Sequence, residues 1–339
     1  MQDSFGKEYD EIMSELQKLI DICRGHNVYI QTHNFPDPDA IASAFGLKNL
    51  LACYNINSKI CYAGKIDKLS AAKMLSAFQI DMYSYNMLSE EMNEDDYIIC
   101  VDSQKNAGNI TDFIGNEIAC IDHHPTFVVT EYLYSDIRIT GACSSIIAQH
   151  YLNSHITPDS DTATALIYGI KMDTLQFSRG VTPLDIEMFG YLYPLSDHTK
   201  LSRLERNNME FTDLRAYGEA IEHIELYGKV GFSHISFSCP DALIAILADF
   251  ILSLHEVDVA VVSSKRADGI KISLRSETSN IHAGEVLKQA LDGYGDGGGH
   301  ASMAGGIIKT ENINLLGNYP EDKLNSLILD VIDGSMKSS

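Results

Sequence analysis

The chain has 339 residues, 45% of them hydrophobic and 21% charged, which at roughly 150 residues per domain points to two globular domains. Its 24 Gly and 8 Pro are too few for a fibrous or low-complexity protein. A net charge of −22 excludes the broad basic surface with which proteins coat long nucleic acid or lie on an anionic membrane.

Ile12, Leu16, Leu19, Ile20 and Cys23 recur on one helical face, and Gly25 follows as a stop. Val28-Tyr29-Ile30 reads as a short buried strand. It runs into His33-Asn34-Phe35-Pro36-Asp37-Pro38-Asp39, and a helix is expected over 40–54. Further strands are expected at 58–63, 97–101 and 117–121, with helices near 69–78, 142–152, 160–172 and 183–193. Short apolar strands alternating with helices predict a largely parallel sheet covered on both faces. Residues 195–219 turn polar and are expected as a helical linker between a domain over 1–194 and a smaller one over 220–339. That second domain should hold strands at 221–227, 229–238, 257–264, 269–275 and 304–309, mixed with helices at 241–254 and 282–292. A Gly-rich loop precedes the last strand, and a terminal helix follows it. The fold class expected is therefore α/β in two lobes, the first a parallel sheet and the second a mixed one.

The opening Met1–Glu8 lacks a basic region followed by an apolar core, so no secretory leader is expected. The longest apolar stretch, Ala242 to Leu254, is about 13 residues with Asp249 inside it, too short to span a bilayer. Seven Cys are scattered singly with no CxxC pair, which favours reduced thiols and a cytoplasmic protein.

The chemistry-bearing residues fall at strand ends, where open α/β sheets bind their ligands. His33, Asp37 and Asp39 follow the first strand, Asp102 ends Tyr97–Val101, Asp122-His123-His124 ends Ile118–Ile121, and Asp173 ends an apolar run from Ala165. A lone Asp in such a place is ordinarily a helix cap or turn residue. Together the acids would repel one another unless cations lay among them. Carboxylates and imidazoles without thiolate select Mn²⁺-like or Mg²⁺-like ions rather than structural zinc. The set suffices for two ions sharing a carboxylate, the arrangement used for displacement at phosphorus. Later in the chain, Gly297-Gly298-Gly299-His300 and Ala304-Gly305-Gly306 would let backbone approach a phosphate, although Gly297–Gly299 alone could equally be a hairpin. Arg275 suits bidentate phosphate binding or a solvated strand edge, and Arg179 is a weaker candidate for the same task.

His33–Ala40, Val101-Asp102-Ser103, Asp122-His123-His124 and Asp173-Thr174 resemble, in order, the four motifs of the DHH phosphoesterase superfamily. Ser273-Leu274-Arg275-Ser276 with Gly297–His300 resembles the substrate-binding motifs of its DHH-associated C-terminal domain. Within the superfamily the chain looks most like the two-domain NrnA-type nanoRNases and the cyclic-dinucleotide or pApA phosphodiesterases. The resemblance implies a catalytic domain over 1–194 and a substrate-binding domain over 220–339. It implies one metal on His33, Asp37 and Asp102 and a second on Asp39, Asp102, His123 and Asp173, both Mn²⁺, with Mg²⁺ or Co²⁺ as alternatives. Asp122 would orient His123 or its neighbour, and His124 would lie near the scissile phosphate. Arg275, Gly297, Gly298, Gly299, His300 and Arg179 would bind substrate. The implied activity is hydrolysis of short 5′-phosphorylated oligonucleotides or cyclic dinucleotides to mononucleotides. A pAp phosphatase, an exopolyphosphatase and a non-catalytic nucleotide sensor are the other readings. Expected partners are small nucleotides, with no long nucleic acid, no membrane and a homodimer left open. Two positions depart from the family pattern: Pro38 and Leu175 stand where many members carry Gly.

Overall fold

The computed structural model describes residues 16–66, 69–206 and 209–336. The chain divides into two units, Met1–Asn208 and Met209–Ser339. The division falls inside the expected 195–219 linker, whose two helices pack with different units.

In the first unit, helix α1 (16–23) leads into β1 (Val28–Gln31), α2 (Pro38–Cys53), β2 (Ser58–Tyr62), α3 (Leu69–Phe78), β3 (Met82–Ser84), α4 (Tyr85–Leu88), β4 (Tyr97–Val101) and β5 (Asn116–Asp122). Then come β6 (Tyr134–Ile137), α5 (Cys143–Asn153), α6 (Ser160–Asp173), α7 (Pro183–Leu192) and α8 (His198–Glu205). Residues 12–15 of the expected first helix lie outside the described residues. The six strands pair in parallel in the order β3-β2-β1-β4-β5-β6. This order reverses between β1 and β4, so the chain leaves those two neighbouring strands in opposite directions and opens a crevice at their carboxyl ends. Strands such as Ile98–Val101 and Ile118–Ile121 are buried along their length, as sheets covered on both faces require. Ile41, Leu47, Ile147, Leu166 and Ile170 of α2, α5 and α6 build the core on one face.

The second unit holds α9 (Asp213–Glu222), β7 (Glu225–Tyr227), β8 (Val230–Ile235), α10 (Asp241–Leu252), β9 (Val259–Arg266), β10 (Gly269–Ser276), α11 (Ala283–Ala290), β11 (Asp296–Gly299), β12 (Met303–Lys309) and α12 (Pro320–Met336). The sheet order is β11-β12-β10-β9-β8-β7, antiparallel except for the parallel β8–β9 pair.

Two expectations are corrected here. The strand expected at 221–227 is helix as far as Glu222, because Ala216 and Ala220 bury one face of α9. The Gly-rich loop is an edge strand, with Gly297 and Gly298 paired opposite Gly306 and Gly305. Small residues are needed there because α11 lies directly on the strand: a Cβ on Gly284 would sit 2.3 Å from the Gly299 carbonyl oxygen. Among the described residues, no helix is long and apolar enough to cross a membrane.

Candidate metal centre and substrate cavity

Asp37, Asp39, Asp102, His33, His123 and Asp173 are brought to the carboxyl edge of the first sheet by five different segments. His33 follows β1 directly. Asp37 does not lie in a loop ahead of the helix expected from residue 40, because that helix begins two residues earlier, at Pro38. Asp37 is the N-cap of α2, its Oδ1 accepting from the backbone N–H groups of Asp39 (3.1 Å) and Ala40 (3.2 Å). Pro38 takes the first helical position, where a missing N–H costs nothing. Asp39 therefore lies in the first turn, 1% exposed, and reaches the N-terminus of α5: its Oδ2 accepts from Cys143 N–H at 2.7 Å and its Oδ1 from Ser144 N–H at 3.0 Å.

Asp102 closes β4 with φ +57°, a left-handed conformation that Asp tolerates better than most residues. It is 3% exposed. Its Oδ1 is 3.3 Å from His123 Nε2 and its Oδ2 is 3.7 Å from His33 Nε2. Neither Asp102 Oδ1 nor His123 Nε2 has a hydrogen-bond partner, although both are buried. Buried polar atoms are rarely left so. His123 Nδ1 is 3.0 Å from the Thr140 carbonyl oxygen. That oxygen can only accept, so in the neutral ring Nδ1 carries the hydrogen and Nε2 turns a lone pair toward Asp102 and toward Asp173 Oδ2, 3.4 Å away. Among the described residues, three sets each offer ligand atoms within 4.8 Å of one another: His33, Asp37 and Asp102; Asp39, His123 and Asp173; and Asp102, His123 and His124.

The electrostatics agree that positive charge is wanted here. Burial, and then repulsion from Asp173, push the Asp39 carboxyl up to about 7. Burial drives Asp102 well above the ordinary carboxylate range, and Asp173 is raised by burial and by Asp37. Burial by itself would lower His123, but Asp102, Asp39 and Asp173 lift it to about 11. Without cations the cluster keeps protons in their place.

His124 lies at the margin of this group, half-exposed, with its Nδ1 3.9 Å from Asp102 Oδ1, and is held by Asp122. Its Nδ1 is 2.9 Å from Asp122 Oδ1, so Asp122 orients His124 and the Thr140 carbonyl orients His123. Asp122 Oδ2 also accepts from Gln104 Nε2 at 2.7 Å, and the same amide nitrogen donates to His124 O at 3.0 Å. Burial acts to raise Asp122, yet the bonds from His124 and Gln104 hold it below its ordinary value. Asp122 in turn raises His124. Arg179 donates from Nη2 to the Asp173 carbonyl oxygen at 3.3 Å. Between these two, Leu175, Gln176 and Phe177 are all left-handed, with φ of 46°, 57° and 64°, so Leu175 occupies a conformation that glycine would adopt without strain.

In the second unit, Arg275, Gly297, Gly299 and His300 line a cavity of about 610 Å³, whereas Gly298 is not on its wall. Arg275 is no free edge charge: its Nε donates to Asp249 Oδ1 at 2.7 Å and its Nη1 to Ser273 Oγ at 3.0 Å. Lys271 also lines the cavity and was not anticipated. Its position four residues before Arg275 on a strand places both on one face, which is the signal that could have found it. Gln104 and the Thr140 carbonyl carried no such signal.

Residues 27–170 match the DHH family, N-terminal domain, and residues 228–327 match the DHHA1 domain. The chain belongs to the DHH superfamily of phosphoesterases. It is 31% identical over 313 residues to the uncharacterized protein MJ1633 of Methanocaldococcus jannaschii, covering 89% of this chain and 63% of that one. It is 24% identical to the cyclic-di-AMP phosphodiesterase GdpP of Bacillus subtilis, over 87% of this chain and 47% of the relative. With the probable bifunctional oligoribonuclease and PAP phosphatase NrnA of Streptococcus mutans it shares 26% identity, over 82% and 88%. The chain thus spans less than two thirds of MJ1633 and about half of GdpP. In fold it is similar to an exopolyphosphatase-related protein of Bacteroides fragilis, with a TM-score of 0.76 at 18% identity, covering 96% of this chain and 98% of that one.

Proposed function

We propose that this DHH protein is a phosphodiesterase that hydrolyses short 5′-phosphorylated oligonucleotides, cyclic dinucleotides or both to mononucleotides, with two divalent cations as cofactors. The observation that carries the reading is the orphaned pair Asp102 Oδ1 and His123 Nε2, buried 3.3 Å apart among carboxylates. A carboxylate oxygen and a ring nitrogen this close, buried among further carboxylates, suit a cation, which would take the place of the protons the cluster otherwise keeps. His33, Asp37 and Asp102 would hold one ion, and Asp39, Asp102, His123 and Asp173 a second. Hard oxygen donors with imidazole favour Mn²⁺, with Mg²⁺ or Co²⁺ as substitutes. Such ions supply charge against the transition state and acidify water.

The remaining work falls to the chain itself. Asp39 keeps lone pairs for a ligand while the α5 backbone fixes its orientation. Asp122 accepts from His124 Nδ1, which leaves His124 Nε2 as the group that gives a proton to the leaving oxygen. Arg275, Gly297, Gly299 and His300 grip a phosphate or sugar of the substrate. The names carried by GdpP and NrnA support nucleotide phosphodiesters as the substrate class, and the net charge of −22 favours short ones. Phosphatase activity on pAp is the second reading, favoured by the NrnA relative. The seven unpaired cysteines suit a reducing compartment, the cytoplasm.

The test is a product-resolved panel with Mn²⁺: pApA, pGpG, cyclic dinucleotides, pAp, pyrophosphate and a 20-mer. Turnover of pApA far above the 20-mer is expected. Hydrolysis of pyrophosphate or pAp alone would overturn the phosphodiesterase reading.

A further inference from the structure

Phe35 stands between two of the candidate ligands, His33 and Asp37, and is 60% exposed. A solitary exposed apolar residue ordinarily calls for no explanation. The backbone around this one, however, is fixed on both sides. Thr32 N–H donates to the Cys61 carbonyl at 3.1 Å, and Asn34 N–H donates to the Asn109 carbonyl at 2.8 Å. Thr111 Oγ1 donates to Asn34 Oδ1 at 3.0 Å. On the far side, Pro36 and Pro38 restrict the chain, and Asp37 is held as the α2 cap. A flat apolar ring on so constrained a loop can meet a partner at little further cost in entropy.

We infer that Phe35 is a stacking platform for a nucleobase of the substrate, supplied by the metal-binding domain itself. The inference rests on the nucleotide reading proposed above. Its location supports a base as the occupant. A residue two positions from each of two candidate ligands is close to where the scissile phosphate must sit, and in a nucleotide a base lies one sugar away from that phosphate. The surrounding charge agrees, because a neutral aromatic face meets no repulsion from the carboxylates that would oppose an added phosphate. Stacking tolerates any base, since each has a π face. Phe35 would therefore separate nucleotides from other phosphate esters rather than one base from another.

The chain contains no Trp, so Phe35→Trp places a single indole at this position. AMP should quench its emission in a saturable way, and ribose 5-phosphate should not. In kinetics, Phe35→Ala should raise KM for pApA roughly tenfold with a smaller effect on kcat. Its selectivity for pApA over a 5′-phosphorylated dinucleotide lacking both bases should fall by about the same factor, and Phe35→Tyr should restore it. Equal quenching by AMP and ribose 5-phosphate, no quenching, or unchanged selectivity would overturn the platform. A shift of Phe35→Ala to a smaller oligomer in light scattering would reassign the ring to an interface between copies, which also overturns it. If the wild-type protein does not cleave pApA at all, the failure lies with the phosphodiesterase reading, and the fluorescence titration still decides the stacking.

Discussion

Gly169 of α6 presses against Asp39: a Cβ added to the glycine would lie 2.9 Å from Asp39 Oδ1, 2.9 Å from the Ala42 Cβ and 2.3 Å from Ser144 Oγ. The carboxylate thus owes its position to a missing methyl group on the neighbouring helix. Gly169→Ala should force α2, α5 and α6 apart, costing about 1–3 kcal/mol. It should also weaken Mn²⁺ binding, as read by thermal denaturation and by a Mn²⁺ titration. A variant of wild-type stability and Mn²⁺ affinity would show that Asp39 is free to move.

Asp102 serves two of the ligand sets at once. Asp102→Asn should lower turnover by at least about a hundredfold, a loss of several kcal/mol of transition-state stabilisation. The metal-free variant should melt close to the wild type, because a neutral amide replaces a carboxyl whose ionisation burial already opposes. Residual activity above about a hundredth of wild type in Mn²⁺ would count against a shared carboxylate.

Metal removal should make stability fall as pH rises. Asp39 ionises near 7 in the folded chain against an ordinary value of about 4. Folded protein therefore binds more protons than unfolded between those values, and stability declines across that window. His123, lifted to about 11, acts in the same direction from about 6.5 upward. Chelated protein should melt lower at pH 8 than at pH 6, and Mn²⁺ should close most of that gap. Equal melting temperatures at both pH values in chelator would contradict the crowding of charge.

Asp122 and His124 should behave as a unit distinct from the metal ligands. His124→Gln should reduce kcat by about 10²–10⁴ while leaving Mn²⁺ affinity near wild type. Asp122→Asn removes the group that raises His124, so the alkaline limb of the pH–rate profile should move to lower pH. A limb that stays in place would exclude His124 as the acid.

The second unit should control KM. Arg275→Ala and His300→Ala should each lower kcat/KM for pApA about tenfold to a few hundredfold, as expected for bonds to charged phosphate, with Mn²⁺ affinity unaltered. The Arg275–Asp249 pair is partly exposed on the Asp249 side, so its loss should change the melting temperature little. Isothermal titration with Mn²⁺ and initial rates on pApA separate the two effects.

Where side chains repeat with the period of the backbone, structure was legible from residues alone. Tyr97–Val101 is a strand as expected, and Leu69–Phe78 is a helix at its expected bounds. The same local logic located His33, Asp37, Asp39, Asp102, His123 and Asp173 at strand or helix ends. It failed at the sheet edges. Asp296–Gly299 has no side-chain pattern to read, and Tyr134–Ile137 is a four-residue strand carrying Ser135 and Asp136. It also could not show which group holds which. Asp39 is fixed by amides at residues 143 and 144, more than a hundred positions away. His123 takes its tautomer from a backbone carbonyl, which every residue possesses and none advertises.

The sharing of Asp102 has a thermodynamic corollary. Its two carboxylate oxygens face different imidazoles, His33 and His123, so ions bound as proposed on either side would draw on one charge. Occupancy of the first position then alters affinity at the second, and linkage requires the same factor whichever is filled first. Singly loaded protein is accordingly a species with properties of its own. The level of free metal at which the proposed activity would switch on then belongs to the pair of positions and cannot be divided between them.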